Sequence, residues 1–431
     1  MDDKTILIIN FAIWLISLIS YYKIRKRYTV GVFVLMLYTA ISYIAISLFF
    51  NPAGRGLFTS HVTMGPFILL WFMILISMYP ILRWERTKVT EICLPNMRYV
   101  RYLCITIIIL CAIKIITVIP DIKHGVLMMI SGNTNHIVDS YTKSSLARIA
   151  RVSALSGNGS FDILAIITNQ AIAIAPILTF LYLLYPANQR NKWITIGLLI
   201  SLMTSPLMGI IKSSRVSILI EILTVLFTFL LFRQLLNPSL RKKIVKIGVL
   251  ISTPFIIALI VISFSRFGKQ STFQYERYFA ESILVFNGYC TDAGGTREGN
   301  ITAPLLKAVA GQKVLSEKQM RWQYRHMTMD NSRFSTFVGD FVLDWGVIPS
   351  IIIFFILSIF FSALLKPRSR IDLSQLFILY LVLRINIGYF QYMFSGLNGN
   401  LTCVLLLALY IFFKLDFIRR PLQYISAVSN K

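Results

Sequence analysis

A chain that places about twenty apolar residues in a row, many times over, has few folds open to it. Only helices of that length cross a bilayer with every backbone group satisfied. Such runs recur here near residues 5–22, 29–50, 64–82, 102–119, 161–185, 193–211, 216–235, 247–265, 341–365, 373–390 and 401–417. The pattern predicts an all-α polytopic membrane protein with about eleven transmembrane helices. Composition agrees, since 56% of the 431 residues are hydrophobic, 14% are charged, and mean hydropathy is +0.70. That is too apolar for a soluble chain of this length.

The formal net charge of +25 would suggest nucleic acid in a soluble protein. Here the basic residues fall in clusters between apolar runs: "KIRKR" from Lys23, "RWERTK" from Arg83, "RNK" from Arg190, "RKKIVK" from Arg241, "KPRSR" from Lys366 and "FIRR" ending at Arg420. These occupy alternate connections, which marks those connections as cytoplasmic and implies no nucleic-acid partner. The N-terminus is then expected outside and the C-terminus inside. The first apolar run precedes its positive cluster and lacks a small-residue cleavage site, so it reads as a retained helix. Cys93, Cys104, Cys111, Cys290 and Cys403 form no C-x-x-C pair, which argues against a disulfide framework or a cysteine-bound metal.

The remaining connections are long or polar. Linear organisation follows: residues 1–265 as eight helices with an outer loop at 120–160, residues 266–340 as a large outer loop, and residues 341–431 as three helices and a tail. All four histidines, at 61, 124, 136 and 326, lie in outer segments. "DSYTKSSLARIARVSAL" from Asp139 and "LSEKQMRWQYRHM" from Leu315 have the spacing of helices lying at a membrane surface. "GYCTDAGGTREGN" from Gly288 follows no hydrophobic strand and lacks a phosphate-loop lysine, so it reads as a flexible connector. The triplets at Asn158, Asn300 and Asn400 match the glycosylation pattern by chance.

Lys114, Glu221 and Arg384 lie inside predicted spans. Counted at about 1.5 Å per residue, each sits roughly 7–9 Å below the outer surface. That shared depth suggests a wet outer cavity in which Glu221 pairs with Lys114 or Arg384, or else three separate snorkelling residues. Above Glu221, the turn "KSSR" places Lys212 and Arg215 at the outer mouth with no acidic residue within three positions. A guanidinium there matches phosphate oxygens in a bidentate fork. The large loop carries ten cations, including Arg266, Arg277 and Arg333, against seven carboxylates. A positive outer loop opposes the usual topology bias and points to an anionic ligand. Its interleaved Tyr275, Tyr278, Trp322 and Tyr324 suit sugar faces or an interfacial belt.

"KSSRVSILIEILTVLF", "SRFSTFVGDFVLDWGVIPSIIIFF" from Ser332 and "NIGYFQYMFSGLNGN" from Asn386 together resemble Wzy-type oligosaccharide repeat-unit polymerases. The resemblance implies a GT-C-like bundle in the bacterial inner membrane that joins undecaprenyl-pyrophosphate-linked oligosaccharides at the periplasmic face. It implies no cofactor or metal. Arg215 would bind the departing pyrophosphate, and Arg266, Arg277 and Arg333 would hold the second lipid-linked substrate or the leaving group. No motif says whether a chain-length regulator binds.

The acceptor hydroxyl needs a base, for which His326, Asp340, Asp344, Glu276 and Glu281 are candidates. Asp340 and Asp344, four apart, would share a helix face, while Asp340 also reads as a cap at the helix start. The large loop lacks a second Arg-Gly signature of the kind some relatives carry; "TREGN" around Arg297 comes nearest. His326 lies outside the motif typical of O-antigen ligases, which favours polymerase over ligase. Rival readings are that ligase, a transporter or flippase for a lipid-linked sugar, and a membrane subunit without chemistry.

Overall fold

A computed structural model of the protein describes residues 1–26, 28–54, 61–87, 89, 91–130, 163–211, 214–267, 271–329, 333–366, 369–418 and 424–426. The candidate surface helix from Asp139 and, in the "KSSR" turn, Lys212 and Ser213 lie outside those residues. Among the described residues the long helices are α1 (Asp3–Arg25), α2 (Val30–Phe50), α3 (Met64–Trp84), α4 (Met97–Ile130), α5 (Ile163–Leu183), α6 (Lys192–Ile211), α7 (Arg215–Phe232) and α8 (Pro238–Phe267). The polar segment that follows contains α9 (Ser271–Val285), α10 (Pro304–Val309), α11 (Glu317–Gln323) and α12 (Phe337–Trp345). The chain continues through α13 (Val347–Leu364), α14 (Gln375–Asn386) and α15 (Gly396–Ile418). Ten of these helices are long and apolar enough to cross a membrane, so the protein is an all-α polytopic membrane protein.

Two predicted spans take another form. The run 341–365 is broken at Gly346, which adopts φ +84 and separates α12 from α13. Its apolar content is continuous, but a left-handed residue cannot continue a right-handed helix. The run 373–390 forms only the twelve-residue α14, about 18 Å long, too short to cross the roughly 30 Å hydrocarbon core alone.

Packing groups the chain into two units that cut across the linear division. The first comprises Met1–Thr87, Thr272–Pro367 and Leu381–Cys403. At one end of it, Tyr21 and the backbone N–H of Gly31 donate to the Glu85 carboxylate at 2.7 and 3.0 Å. This staples the end of α1 and the start of α2 to the end of α3. Gly31 is required there, since a Cβ would fall 3.0 Å from a Glu85 oxygen and 2.8 Å from Leu82. Arg83 also donates to the Ser362 carbonyl near the end of α13 at 3.3 Å. All these helix ends adjoin basic clusters.

The opposite helix ends of the same unit are covered by the long polar segment, in which the stretch from Gly288, expected as a flexible connector, is folded into turns. Ser47 and Asn51, at the end of α2, donate to the two Glu276 oxygens at 2.7 and 3.0 Å. Asn287, in a single π-helical turn over Phe286–Cys290, exchanges two hydrogen bonds with the Thr63 backbone before α3, at 2.7 and 3.0 Å. Ser282 donates to the Tyr389 carbonyl at 2.7 Å. The predicted surface helix from Leu315 appears as α11, opened by a capping box between Ser316 and Gln319.

The second unit comprises Lys88–Ser271, Arg368–Tyr380 and Val404–Lys431. Its helices α4 to α8 pack as a bundle, with α6 lying along α4 and α7. Close approach is set by small residues: a Cβ on Gly197 of α6 would meet the Ile108 side chain of α4 at 2.8 Å. Three short strands complete the unit: β1 (Glu91–Cys93) pairs in parallel with β2 (Arg370–Asp372) and antiparallel with β3 (Tyr424–Ser426). Gly197→Leu should overpack the α4–α6 contact and cost about 1–3 kcal/mol. Gly248→Leu is the matched control, because nothing lies within 4 Å of its Cβ position. Thermal unfolding in detergent should show a lowered midpoint for the first substitution only.

Candidate functional site

The polar segment builds its site around Arg297. This residue opens a turn in which Glu298 and Gly299 are both left-handed, with φ +52 and +75. Gly299 is dictated by proximity as well as φ, since a Cβ there would lie 2.5 Å from the Trp345 ring. The turn aims the Arg297 guanidinium at α12, whose first turn is capped by the Thr336 hydroxyl accepting from the Gly339 N–H at 3.0 Å. The capping role expected of Asp340 therefore belongs to Thr336.

Arg297 lies between the two aspartates of α12. Its Nε donates to Asp344 Oδ1 at 2.9 Å, and its Nη2 donates to the Asp340 carbonyl and Oδ1 at 3.0 and 3.2 Å. The other Asp344 oxygen accepts from the Ile301 N–H, the Thr302 N–H and the Thr302 hydroxyl at 3.0, 2.7 and 2.8 Å. Thr302 in turn accepts from Trp345 Nε1 at 2.9 Å. Asp340 is completed by the Ser335 hydroxyl at 3.1 Å and the Tyr392 N–H at 2.8 Å. Burial raises the Asp340 carboxyl above its ordinary value, against the opposing pull of Arg297 and the Tyr392 N–H. Burial alone would lower the Arg297 guanidinium, but Asp344 and Asp340 together hold it above its usual range.

Asp340 and Asp344, expected as bases, do share a helix face; both are buried, and Asp344, 1% exposed with four donors on its oxygens, also borders a cleft. Around them, Asn300 donates to the Arg297 carbonyl and the Tyr324 hydroxyl at 2.7 and 2.9 Å. Asn400 donates to the Thr302 and Phe394 carbonyls at 3.1 and 2.8 Å. Both asparagines of the outer triplets within the described residues are thus internal struts.

Beside this core lies an open cleft of about 530 Å³, lined by Thr296, Glu298, Leu306, Lys307, Gln312 and Trp345 among others. Lys307 stands 3.8 Å from the Glu298 carboxylate, whose side chain is 65% exposed. An indole, a carboxylate, an ammonium and an amide around one cavity form the mixed lining that polyhydroxylated ligands use. Glu298 was not singled out in the sequence; its left-handed backbone, which only the fold reveals, turns it to the cleft.

The other expected residues are distributed as follows. His326 is exposed, its Nε2 set against Gly295, and it does not line the cleft. Arg277 is engaged by Glu281 through two bonds of 2.9 and 3.1 Å, which also occupies Glu281. Glu276 is held by Ser47 and Asn51. Arg333 sits over the Tyr289 ring at 5.3 Å. The Arg384 guanidinium, in the last turn of α14, lies 5.3 Å from the Phe394 ring centre. Arg266 falls in the final turn of α8.

In the second unit, Arg215 is the first residue of α7 and is buried, 7% exposed. Glu221, two turns further along, is 8% exposed. On α6, which packs along both α4 and α7, Ser201 donates to the Gly197 carbonyl at 2.9 Å, and Ser201 and Thr204 are buried, as is Cys111 of α4. Lys114, one turn along α4 from Cys111, is half-buried. Among the described residues no group of three or more His, Cys, Asp or Glu side chains is placed to hold a metal ion.

No protein-family model, curated protein or solved structure matches the chain.

Removing Arg297 would leave two buried carboxylates facing each other. Arg297→Ala should therefore destabilise the first unit by about 3–5 kcal/mol. The exposed Arg325 replaced by alanine should change little. Thermal unfolding in detergent, compared between the two variants, checks this.

Proposed function

We propose that the protein is an integral-membrane glycosyltransferase, a polymerase of the Wzy type. It joins undecaprenyl-pyrophosphate-linked oligosaccharide units at the extracytoplasmic face of a bacterial inner membrane. The observation that carries the reading is the position of the polar cleft: Trp345, on its wall, precedes by two residues the membrane span that begins at Val347. A lipid-linked sugar must keep its tail in hydrocarbon and its sugars in water, and a polar cleft beside the start of a span suits both halves.

The resemblance of "KSSRVSILIE" to the arginine-bearing segment of such polymerases supplies the second element. Arg215 stands at the N-terminal turn of α7, where the helix dipole is also positive, so two positive fields converge on one buried point. A diphosphate is the counter-charge that both would stabilise. The same resemblance implies that Lys212, Arg266, Arg277 and Arg333 bind parts of the lipid-linked substrates, and Arg277 retains one guanidinium nitrogen beyond its pair with Glu281.

In the reaction, the bond from the donor's anomeric carbon to the pyrophosphate oxygen breaks. A bond from that carbon to an acceptor hydroxyl oxygen forms. The hydroxyl proton passes to a carboxylate, for which the exposed Glu298 in the cleft is better placed than the enclosed aspartates. Negative charge grows on the departing pyrophosphate, and fixed guanidinium groups stabilise that charge more than the neutral donor sugar.

Purified protein in proteoliposomes, supplied with undecaprenyl-pyrophosphate-linked oligosaccharide, should yield a ladder of longer chains and free undecaprenyl pyrophosphate. Arg215→Ala should abolish the ladder, with protein yield unchanged, and an undiminished ladder would remove Arg215 from the site. Glu298→Gln should lower turnover by about 10²–10⁴-fold, the usual contribution of a general base. If the unsubstituted protein forms no ladder but transfers a preformed chain to a lipid A core, the polymerase reading fails in favour of the ligase.

A further inference from the structure

The helix α10 presents its apolar side chains outward. Leu306 and Val309 are 70% and 81% exposed, and three residues apart they share one face of the helix. Two large aliphatic groups would not be left in water at the tip of an ordered polar segment without a covering surface. The location of α10 says what that surface is. Leu306 and Lys307 share the cleft wall with Trp345, next to the start of α13 at Val347, where Ile348 is itself 71% exposed. Ile348 belongs to a membrane span, so its exposed side chain faces lipid. Leu306, one turn of α10 from Val309, thus lines the same cleft as Trp345, three residues before Ile348.

Charge points the same way. Residues 304–325 contain Lys307, Lys313, Lys318, Arg321 and Arg325 against the single acid Glu317. Trp322 in the same stretch is 70% exposed, with the Arg325 guanidinium 5.6 Å from its ring centre. A basic segment with outward aliphatic and indole groups has the chemistry of an interfacial anchor for anionic lipid.

We propose that α10 docks on the surface of the bilayer, burying Leu306 and Val309 among the acyl chains below the headgroups, with Lys313 and its basic neighbours at anionic phosphates. The cleft beside α10 is then bordered by lipid on one side. This docking stands independently of the reaction proposed above, because it concerns the membrane and not a sugar.

The test uses the full-length protein carrying Leu306→Cys, Val309→Cys or, as a control, Asp292→Cys at an exposed acidic loop position. Each is labelled with an environment-sensitive fluorophore in vesicles of phosphatidylcholine and phosphatidylglycerol. Four native cysteines are buried and Cys403 is half-buried, and the unsubstituted chain gives the background. Lipids bearing a nitroxide just below the headgroup should quench positions 306 and 309 several-fold more than position 292. Aqueous acrylamide should show the reverse order. Equal access of acrylamide to all three positions would overturn the proposal. So would protection of 306 and 309 from both quenchers, which would mean that protein covers them.

Discussion

The first unit is organised by one guanidinium held between two carboxylates. Burying a charge of either sign is costly unless it is paired and hydrogen-bonded. Arg297, Asp340 and Asp344 meet that condition by recruiting the backbone of residues 301 and 302, the Ser335 hydroxyl and the Tyr392 N–H. Because these partners come from three separate stretches of chain, satisfying the charges also fixes where those stretches lie. The floor of the cleft, the start of α13 and the connection between α14 and α15 are all set by this cluster.

Unit 1 has two chemically different ends. Where the basic clusters lie, a few polar contacts such as Tyr21–Glu85 join short turns. At the other end, α9 to α12 form a folded polar layer pinned to the helix ends by Glu276, Asn287 and Ser282. Within this unit Asn51 and Thr63, flanking the connection between α2 and α3, and Tyr389, between α14 and α15, all bond to that layer. In the proposed reading, a rigid layer of this kind gives a membrane-bound substrate a defined site without a separate soluble domain.

The spans were legible because hydrophobic length is a local property, recorded in about twenty consecutive residues at a time. Helix α11 was legible for the same reason, its spacing and its Ser316 start being contained within a dozen residues. What stayed hidden depends on pairings distant in sequence. Arg297 looked like part of a loose glycine-rich connector, because its partners Asp340 and Asp344 lie more than forty residues on. The same pairing encloses both aspartates that helical spacing offered as bases. The break at Gly346 was masked by unbroken apolar content on both sides, since hydropathy carries no information about the sign of φ. Arg277 reads as an available cation in the sequence, but Glu281, one helical turn away, accepts two bonds from it. Four residues of spacing permit such a pair but do not compel it.

The small sheet of the second unit has a consequence for biogenesis. Its middle strand, β1, lies near the start of the chain, yet both of its neighbours, β2 and β3, are translated after every helix from α4 to α13. While the ribosome is delivering those helices to the insertion machinery, the edges of β1 have no protein to bond with and must be hydrated or chaperoned. Closure of the sheet therefore comes long after β1 itself is made, and waits for strands 279 and 333 residues further along the chain.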